Sequence, residues 1–436
     1  RGNQYKTIVE SLSTSFQFID YQFDTQTNTA QFRYRNKDIE FEECAEFETV
    51  ADGYNAEALD KALFLAFILI GTSYYKTFPS QSVELGDHAI DAWQARFFNS
   101  VYQEGLSQFA FENNLTRENL TTFEPSGSAD AAVDGYTAQD AKPLVLQSGG
   151  KDSLLLAELL KSKALNFSPW YLTNSDTHPR VLEGIEGELT LARRSLDREN
   201  LAKAKQQGGL DGHVPVTYIV LSIALIQAIL AGKDTILTAI GHEGEEPYTY
   251  ISDLPVMHQW AKTWKAEQQF AEYVKTYVAE SIHVGSPLRR YSELKIAQLF
   301  VEQCWGRYGH EFSSCNIGNY KQGQANDTLT WCGNCAKCAN SFLLFAPFVP
   351  PQQLADLFGG QNLFKKTSLT KTFKGLLEID GIAKEFECVG ERDELRLAYH
   401  MAHKKFDEYT LLFDVPESDF DHDREYPAQS WTERFI

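Results

Sequence analysis

The chain is short of positive charge. Its 436 residues hold 40 Lys and Arg against 60 Asp and Glu, a net charge of −20. Proteins that coat nucleic acid bind phosphates through clustered Lys and Arg, so this balance argues against that class. Long apolar runs are missing too. The longest, residues 218–231, falls short of the roughly 20 residues that span a bilayer and reads as a buried helix. No apolar h-region opens the chain, so no secretion signal is expected. Cysteine is sparse. Seven in a chain of this size make no disulfide framework, and four of them cluster by spacing, which fits a reducing compartment and a metal site. A Walker A loop, GxxxxGK[ST], is absent, and no internal repeat is evident. What remains is ordinary globular material: 43% hydrophobic and 13% aromatic residues, in a length that suggests two or three domains.

Residues 143–153 read PLVLQSGGKDS and run directly into LLLAELLKSK. This is an apolar strand, a glycine turn and a helix. Gly149 and Gly150 lack side chains, so backbone N–H groups can approach an anion closely. The helix adds its free N–H groups and the positive end of its dipole. Ser148 and Ser153 supply hydroxyl donors and Lys151 a charge. Asp152 would repel bare phosphate but serves if Mg²⁺ lies between them. SGGKDS resembles the PP-loop of the ATP pyrophosphatases, which cleave ATP between its α and β phosphates.

Residues 16–50 alternate as strands: QFIDYQFD, TAQFRYRN and IEFEECAEFET, separated by the turns DTQTN and NKD. An antiparallel sheet with one solvated face is the simplest account. Helices are expected at 56–70 and 91–113, and a linker at 125–141. From 142 onward apolar strands (PLVLQ, SPWYLTN, DTILTAIG, SIHV) alternate with helices at 152–163, 217–231, 257–279 and 292–305. That pattern predicts a doubly wound parallel sheet with ligands at its C-terminal strand ends. The expected fold class is α/β, in three units. An N-terminal α+β domain spans 1–140, the PP-loop domain 141–349 and a C-terminal region 350–436.

Cys332, Cys335 and Cys338 form CGNCAKC, and Cys315 lies seventeen positions earlier. Four thiolates suit the tetrahedral preference of structural Zn²⁺, and the Gly- and Asn-rich loop between them has little core of its own. An iron–sulfur cluster and a set of reduced, unliganded cysteines are the alternatives.

A PP-loop followed by CxxCxxC resembles the much shorter 7-cyano-7-deazaguanine synthases. The whole chain is more similar to the ATP-dependent UDP-N-acetylmuramoyl-L-alanyl-L-glutamate epimerases of bacterial peptidoglycan synthesis. The similarity rests on GTSYYK at 71–76, GLSQFAFENNL at 105–115, QSGGKDSLLLAELL at 147–160 and GHVPVT at 212–217. It continues in SPLRRYSELKIAQLF at 286–300, FSSC at 312–315, WCGNCAKC at 331–338 and FECVGE at 386–391. GHEGEE at 241–246 departs from it, since an Asn-Glu-Arg-Ser type of loop is expected there.

The resemblance implies a cytoplasmic enzyme that inverts the terminal L-Glu of UDP-MurNAc-L-Ala-L-Glu. Its ligands would be ATP and Mg²⁺, the latter at Asp152, with structural Zn²⁺ at the four cysteines. Asp152 and Lys151 are the candidates for nucleotide chemistry. Cys388, His213 and His258 are the candidates for proton transfer, each with a structural role as its alternative. Tyr74, Tyr75 and Lys76, with Arg289 and Arg290, are candidates to meet the anionic substrate. Cys44 and Cys304 read as core. Two other classes fit the motifs: a ligase or amidating synthase of the same superfamily, and a non-catalytic nucleotide- or zinc-binding scaffold.

Overall fold

The computed structural model describes residues 15–321, 324–325 and 327–436, so part of the loop between Cys315 and Cys332 lies outside the described residues. The alternation at the N-terminus gives three antiparallel strands, β1 (Phe16–Asp24), β2 (Thr29–Asn36) and β3 (Ile39–Phe47). Helix α1 (Ala56–Tyr75) follows, started by the Asn55 side chain, which accepts the Ala58 N–H. A short strand β4 (Val83–Glu84) pairs parallel with β1. The expected helix at 91–113 is interrupted. It runs as Ala92–Asn99, a wider π turn at Ser100–Glu104, and Ser107–Glu112.

The second half begins with β5 (Leu144–Leu146), α2 (Lys151–Ser162), β6 (Ser168–Thr173) and β7 (Thr190–Ser195). Next come α3 (Val216–Leu230), β8 (Thr235–Leu237) and a hairpin of β9 (Thr249–Ile251) and β10 (Leu254–Val256). Helix α4 (Trp264–Tyr273), strand β11 (His283–Gly285) and helix α5 (Glu293–Gln303) complete this half. The expected helix at 257–279 is shorter because Thr263 caps α4, accepting the Ala266 N–H in an extended conformation. Beyond it, α6 (Ala336–Phe345) and α7 (Arg392–Lys405) lie in a mostly helical C-terminal region. Among the described residues no helix is long and apolar enough to cross a membrane.

All but the hairpin strands and a minor pair near 320–325 join one sheet, ordered β11-β8-β5-β6-β7-β3-β2-β1-β4. The five strands from β11 to β7 are parallel, and β3 joins β7 antiparallel. Alternate residues feed two cores. Leu144, Trp170 and Ile236 face α1, α3 and α4, while Val145, Tyr171 and Leu237 face α2, α5, α6 and α7. The chain leaves β5 toward β6 and β7, then returns past it to β8. Ligands favour such a reversal point, because the loops after β5 and β8 diverge there and open a crevice.

Sequence reading found β1–β3 but missed β7, whose TLARRS carries two arginines. Those arginines make the joint between the two halves of the sheet. Arg194 Nε lies 2.5 Å from Glu43 Oε1, with Glu43 on the buried face of β3, and Arg193 pairs with Glu46 at 2.7 Å. Tyr74 also donates to Glu43, at 2.7 Å. Arg194→Met strands a buried carboxylate and should cost about 3–5 kcal/mol in a denaturant titration. Adding Glu43→Gln should recover much of that loss, since no unpaired charge then remains.

Candidate functional site

The turn after β5 is built as an anion cradle. Gly149 has φ +79°, and a Cβ there would lie 2.5 Å from Leu329 Cδ1, so only glycine fits. Gly150 caps α2 without any side-chain bond, which leaves the first-turn N–H groups for a ligand. Ser153 Oγ accepts the Ser148 N–H at 3.2 Å and lies 3.3 Å from Ser148 Oγ. The two serines thus lock the turn, while the Ser148 side of it stays exposed.

Lys151 turns inward. Its Nζ is 2.6 Å from Asp152 Oδ1 and 2.6 Å from Glu293 Oε2, at the start of α5. Burial works against the ammonium, but Asp152 and Glu293 outweigh it and raise its pKa. Burial pushes Glu293 up to about 7 against the pull of Lys151, with Asp152 and Glu243 adding to the rise. The other oxygen of Glu293 is buried without a partner, as are both amide atoms of Gln147, the residue that leads into the turn. Sequence reading did not single out Glu293. Nothing in its spacing pointed to Lys151, 142 residues away.

Glu243, in the GHEGEE loop after β8, lies 3.3 Å from Lys262 Nζ. Desolvation opposes the Lys262 charge, yet Cys388, Glu243, Glu293 and Asp152 together raise its pKa. Lys262 therefore stands between the glycine turn and a second group. There Cys388, Glu387 and His258 bring their ligand atoms within 4.8 Å of one another. The His213 ring lies on that of His258, with centroids 4.6 Å apart. Lys76 sits beside His213 and donates to Asp211 at 2.6 Å and to the Gly212 carbonyl at 2.8 Å. Four sequence candidates, Cys388, His213, His258 and Lys76, thus converge. Cys388 is half-buried and outside both apolar cores, which removes its reading as a core residue.

Other candidates do not reach the site. Tyr74 and Tyr75 are fully buried and bond to Glu43 and the Ser80 carbonyl. Arg289 is fully buried against Glu267 at 2.9 Å, and it donates to the Gly241 and Lys262 carbonyls at 2.8 Å each. It holds the loops that carry Glu243 and Lys262 rather than any ligand. Arg290 pairs with Glu433 at 3.1 Å. Cys304 is core, whereas Cys44 is half-buried on the outward side of β3.

The sulfurs of Cys315, Cys332, Cys335 and Cys338 also lie within 4.8 Å of one another, with Cys315–Cys335 and Cys332–Cys338 both at 3.7 Å. Thiolates on one tetrahedral zinc ion, with Zn–S of about 2.3 Å, are separated by about 3.8 Å. Each sulfur accepts a backbone N–H, from Gly318, Asn334, Cys338 and Gly333 respectively. These donors favour the thiolate form. The four cysteines can therefore hold one ion.

This architecture is that of an α/β protein in which Lys262 stands between a glycine turn at the head of a helix and a thiol–imidazole group. The chain belongs to the MurL family: residues 8–286 match the model of the MurL N-terminal domain and residues 311–413 that of the MurL C-terminal domain. It is 33% identical over 398 residues to the UDP-N-acetyl-alpha-D-muramoyl-L-alanyl-L-glutamate epimerase of Xanthomonas oryzae pv. oryzae, covering 88% of this chain and 85% of that one. The epimerase of the same name from Salinispora tropica is 32% identical over 87% of this chain and 83% of its own length. That from a Micromonospora species is 30% identical over 87% and 85%.

Burial pushes His213 down to about 4, helped by Lys76, and His258 down to about 3, helped by His213, Lys262 and Lys337. An unfolded histidine titrates near 6.5. Between about pH 6.5 and 4 the unfolded chain therefore binds protons that the folded chain does not, and stability falls as pH falls through that window. His258→Gln should lose part of this slope. Denaturant midpoints of both proteins at pH 7 and pH 5 test it.

Proposed function

We propose that this chain inverts the terminal L-Glu of UDP-MurNAc-L-Ala-L-Glu to D-Glu at the expense of ATP, for peptidoglycan precursor synthesis. Its similarity along both family models to proteins named as that epimerase is the observation that carries the reading. The α-proton of a carboxylate is a very poor acid, because its loss puts a second negative charge beside the first. Adenylation of the carboxylate, with release of pyrophosphate, removes that obstacle. The α-carbanion is then an enolate, and a positioned base can form it. Reprotonation on the other face and hydrolysis of the anhydride give D-Glu and AMP.

The side chains suit these roles. Backbone N–H groups of Gly149, Gly150 and the first turn of α2, with Ser148 and Ser153, would cradle the nucleotide phosphates, and Lys151 would turn to them. The unpaired buried atoms of Gln147 and Glu293 support a polar ligand at this end, because buried polar groups are normally paired. Asp152 would hold Mg²⁺, which supplies charge neutralisation to the phosphates. Lys262, between the glycine turn and Cys388, would offset the charge that develops on the adenylated carboxylate. Cys388, with His213 and His258 beside it, carries the proton. The four cysteines would hold a structural zinc ion: sulfurs this close suit one tetrahedral ion better than a cluster of several irons.

One zinc per chain is the expected result of elemental analysis, and iron or no metal would refute the assignment. Replacing one of the four cysteines should lower solubility and stability before chemistry, because a closed site contributes folding free energy.

The reaction order makes a separate prediction. In D₂O the L-Glu substrate should gain α-deuterium only when ATP is present, read by mass spectrometry alongside AMP. Asp152→Ala and Ser148→Ala should abolish AMP formation with the fold intact. Exchange without ATP would rule out activation by adenylation. AMP release with amide formation would point to a ligase, and no turnover to a scaffold.

A further inference from the structure

The segment GLSQFAFENNL is one of the motifs that the nucleotide chemistry leaves unexplained. It forms the helix Ser107–Glu112, which grips the chain around His258. Ser107 Oγ accepts the Met257 N–H at 3.0 Å. Gln108 Oε1 lies 2.6 Å from His258 Nδ1, and Gln108 Nε2 donates to Glu112 Oε1 at 3.0 Å.

The order of donors in this relay is forced. A carboxylate only accepts, so the Gln108 amide must turn its NH₂ to Glu112 and its oxygen to His258. An amide oxygen also only accepts, so His258 Nδ1 must carry the ring proton. Nε2 is then the bare, basic nitrogen. Burial and the cations Lys262 and Lys337 keep the ring neutral, so that nitrogen is free to accept.

The neighbours of His258 fit a proton-handling group better than a metal site. Glu387 is already engaged: its Oε1 accepts the Cys388 N–H at 2.9 Å and its carboxylate takes the Asn316 amide at 3.2 Å. The charges of Lys262 and Lys337 repel a divalent cation from the same space. Lys337 and Asn340, both on α6, hold the strip that bears Cys388. Lys337 donates to the Cys388 carbonyl, and Asn340 accepts the Gly390 N–H at 2.8 Å.

Spacing decides how Cys388 and His258 share the work. A base approaches the atom it attacks to about 3–3.5 Å, so two bases flanking one carbon stand about 6–7 Å apart. Cys388 and His258 are within 4.8 Å. They cannot stand on opposite faces of the α-carbon.

We propose that Cys388 and His258 form a one-sided thiol–imidazole dyad for the α-carbon, with Gln108 and Glu112 as positioning residues that fix the His258 tautomer. The proposal rests on the epimerase reading. The transfer is concerted: as the α C–H bond breaks and its proton forms an S–H bond with Cys388, the thiol's own proton passes to His258 Nε2, and the electron pair stays in the enolate, whose negative charge offsets the imidazolium as it forms. In the reverse direction the thiol returns its proton to the same face. The opposite face receives its proton from solvent water, and the His258 imidazolium returns its proton to solvent, so one proton enters and one leaves in each inversion. His213 supports the His258 ring and lies outside the proton path.

The wild-type protein and the variants Cys388→Ser, His258→Gln and Gln108→Leu are compared with ATP and the L-Glu or the D-Glu substrate in D₂O. Wild-type protein should incorporate α-deuterium from both epimers, which tests the epimerase reading itself; failure here sinks that reading. Cys388→Ser and His258→Gln should still release AMP. They should lose at least tenfold in exchange from one epimer, the same one for both, and keep exchange from the other. Equal loss from both epimers, or opposite epimers for the two variants, overturns the one-sided dyad. Imidazole ¹⁵N NMR of the wild-type protein should show His258 as the Nδ1–H tautomer. Gln108→Leu should mix the tautomers and slow exchange on the dyad's face, and Gln108→Glu, which keeps an acceptor at that position, should restore both. An Nε2–H tautomer in wild-type protein, or a second metal ion per chain lost on Cys388→Ser, would refute the proposal.

Discussion

The cluster of Cys315, Cys332, Cys335 and Cys338 fixes the working parts of this molecule in register. It closes a stretch of chain that touches both ends of the cleft. Ser313, two residues before the first cysteine, donates its N–H to the Gly149 carbonyl, and its hydroxyl accepts the Cys315 N–H. Leu329, just before the second cysteine, packs on the glycine turn so tightly that no side chain fits at Gly149. Helix α6 starts inside the cluster, with Cys335 as its cap, and its Lys337 and Asn340 hold the Cys388 strip. The glycine turn and the thiol belong to segments almost 240 residues apart. Without a common anchor, their separation would follow the looseness of every connection between them.

Charge follows a similar logic of local order against a contrary background. The chain carries a net −20, yet Lys76, Lys151, Lys262 and Lys337 gather around the glycine turn and the Cys388 group. Each is held by a carboxylate or a carbonyl rather than left to solvent. A global negative field repels an anionic substrate weakly at a distance, because salt screens it within about 10 Å. Fixed ammonium groups in a partly dry cleft act at close range, where screening is poor. The buried carboxylates Glu293 and Glu243 keep Lys151 and Lys262 charged and aimed, and Arg289 anchors the loops beneath them. The geometry is therefore made by ion pairs of opposite sign, while the surface charge has little part in it.

Much of the site was legible from residues alone. SGGKDS announced its turn because the conformation of Gly149 and the free helix end are local properties, set by a few adjacent residues. The cysteine spacing was equally local. The helices 152–163, 217–231 and 292–305 were found within about two residues because their apolar periodicity is strong. Errors fell where distant partners decide the structure. TLARRS was not read as a strand, since Arg194 is tolerated there only opposite the buried Glu43. Tyr74 and Tyr75 were candidates to meet the substrate, but aromatic packing and bonds to Glu43 and the Ser80 carbonyl respectively make them core.

Sequence by itself determined the identity of the chemical groups, the glycine turn, the four-cysteine cluster and the kinship to a family, all of which are written in short runs of adjacent residues. Tertiary structure alone decided that the antiparallel strands continue the parallel sheet, that Glu293 reaches Lys151, and that Gln108 and Glu112 orient His258. It alone chose Cys388 as a cleft residue and Arg289 as a buried anchor. The physical reason is range. Backbone conformation and periodicity act over a few positions, whereas hydrogen-bond direction, burial and the pairing of charges depend on which remote segments the packed sheet and its helices bring within a few ångströms.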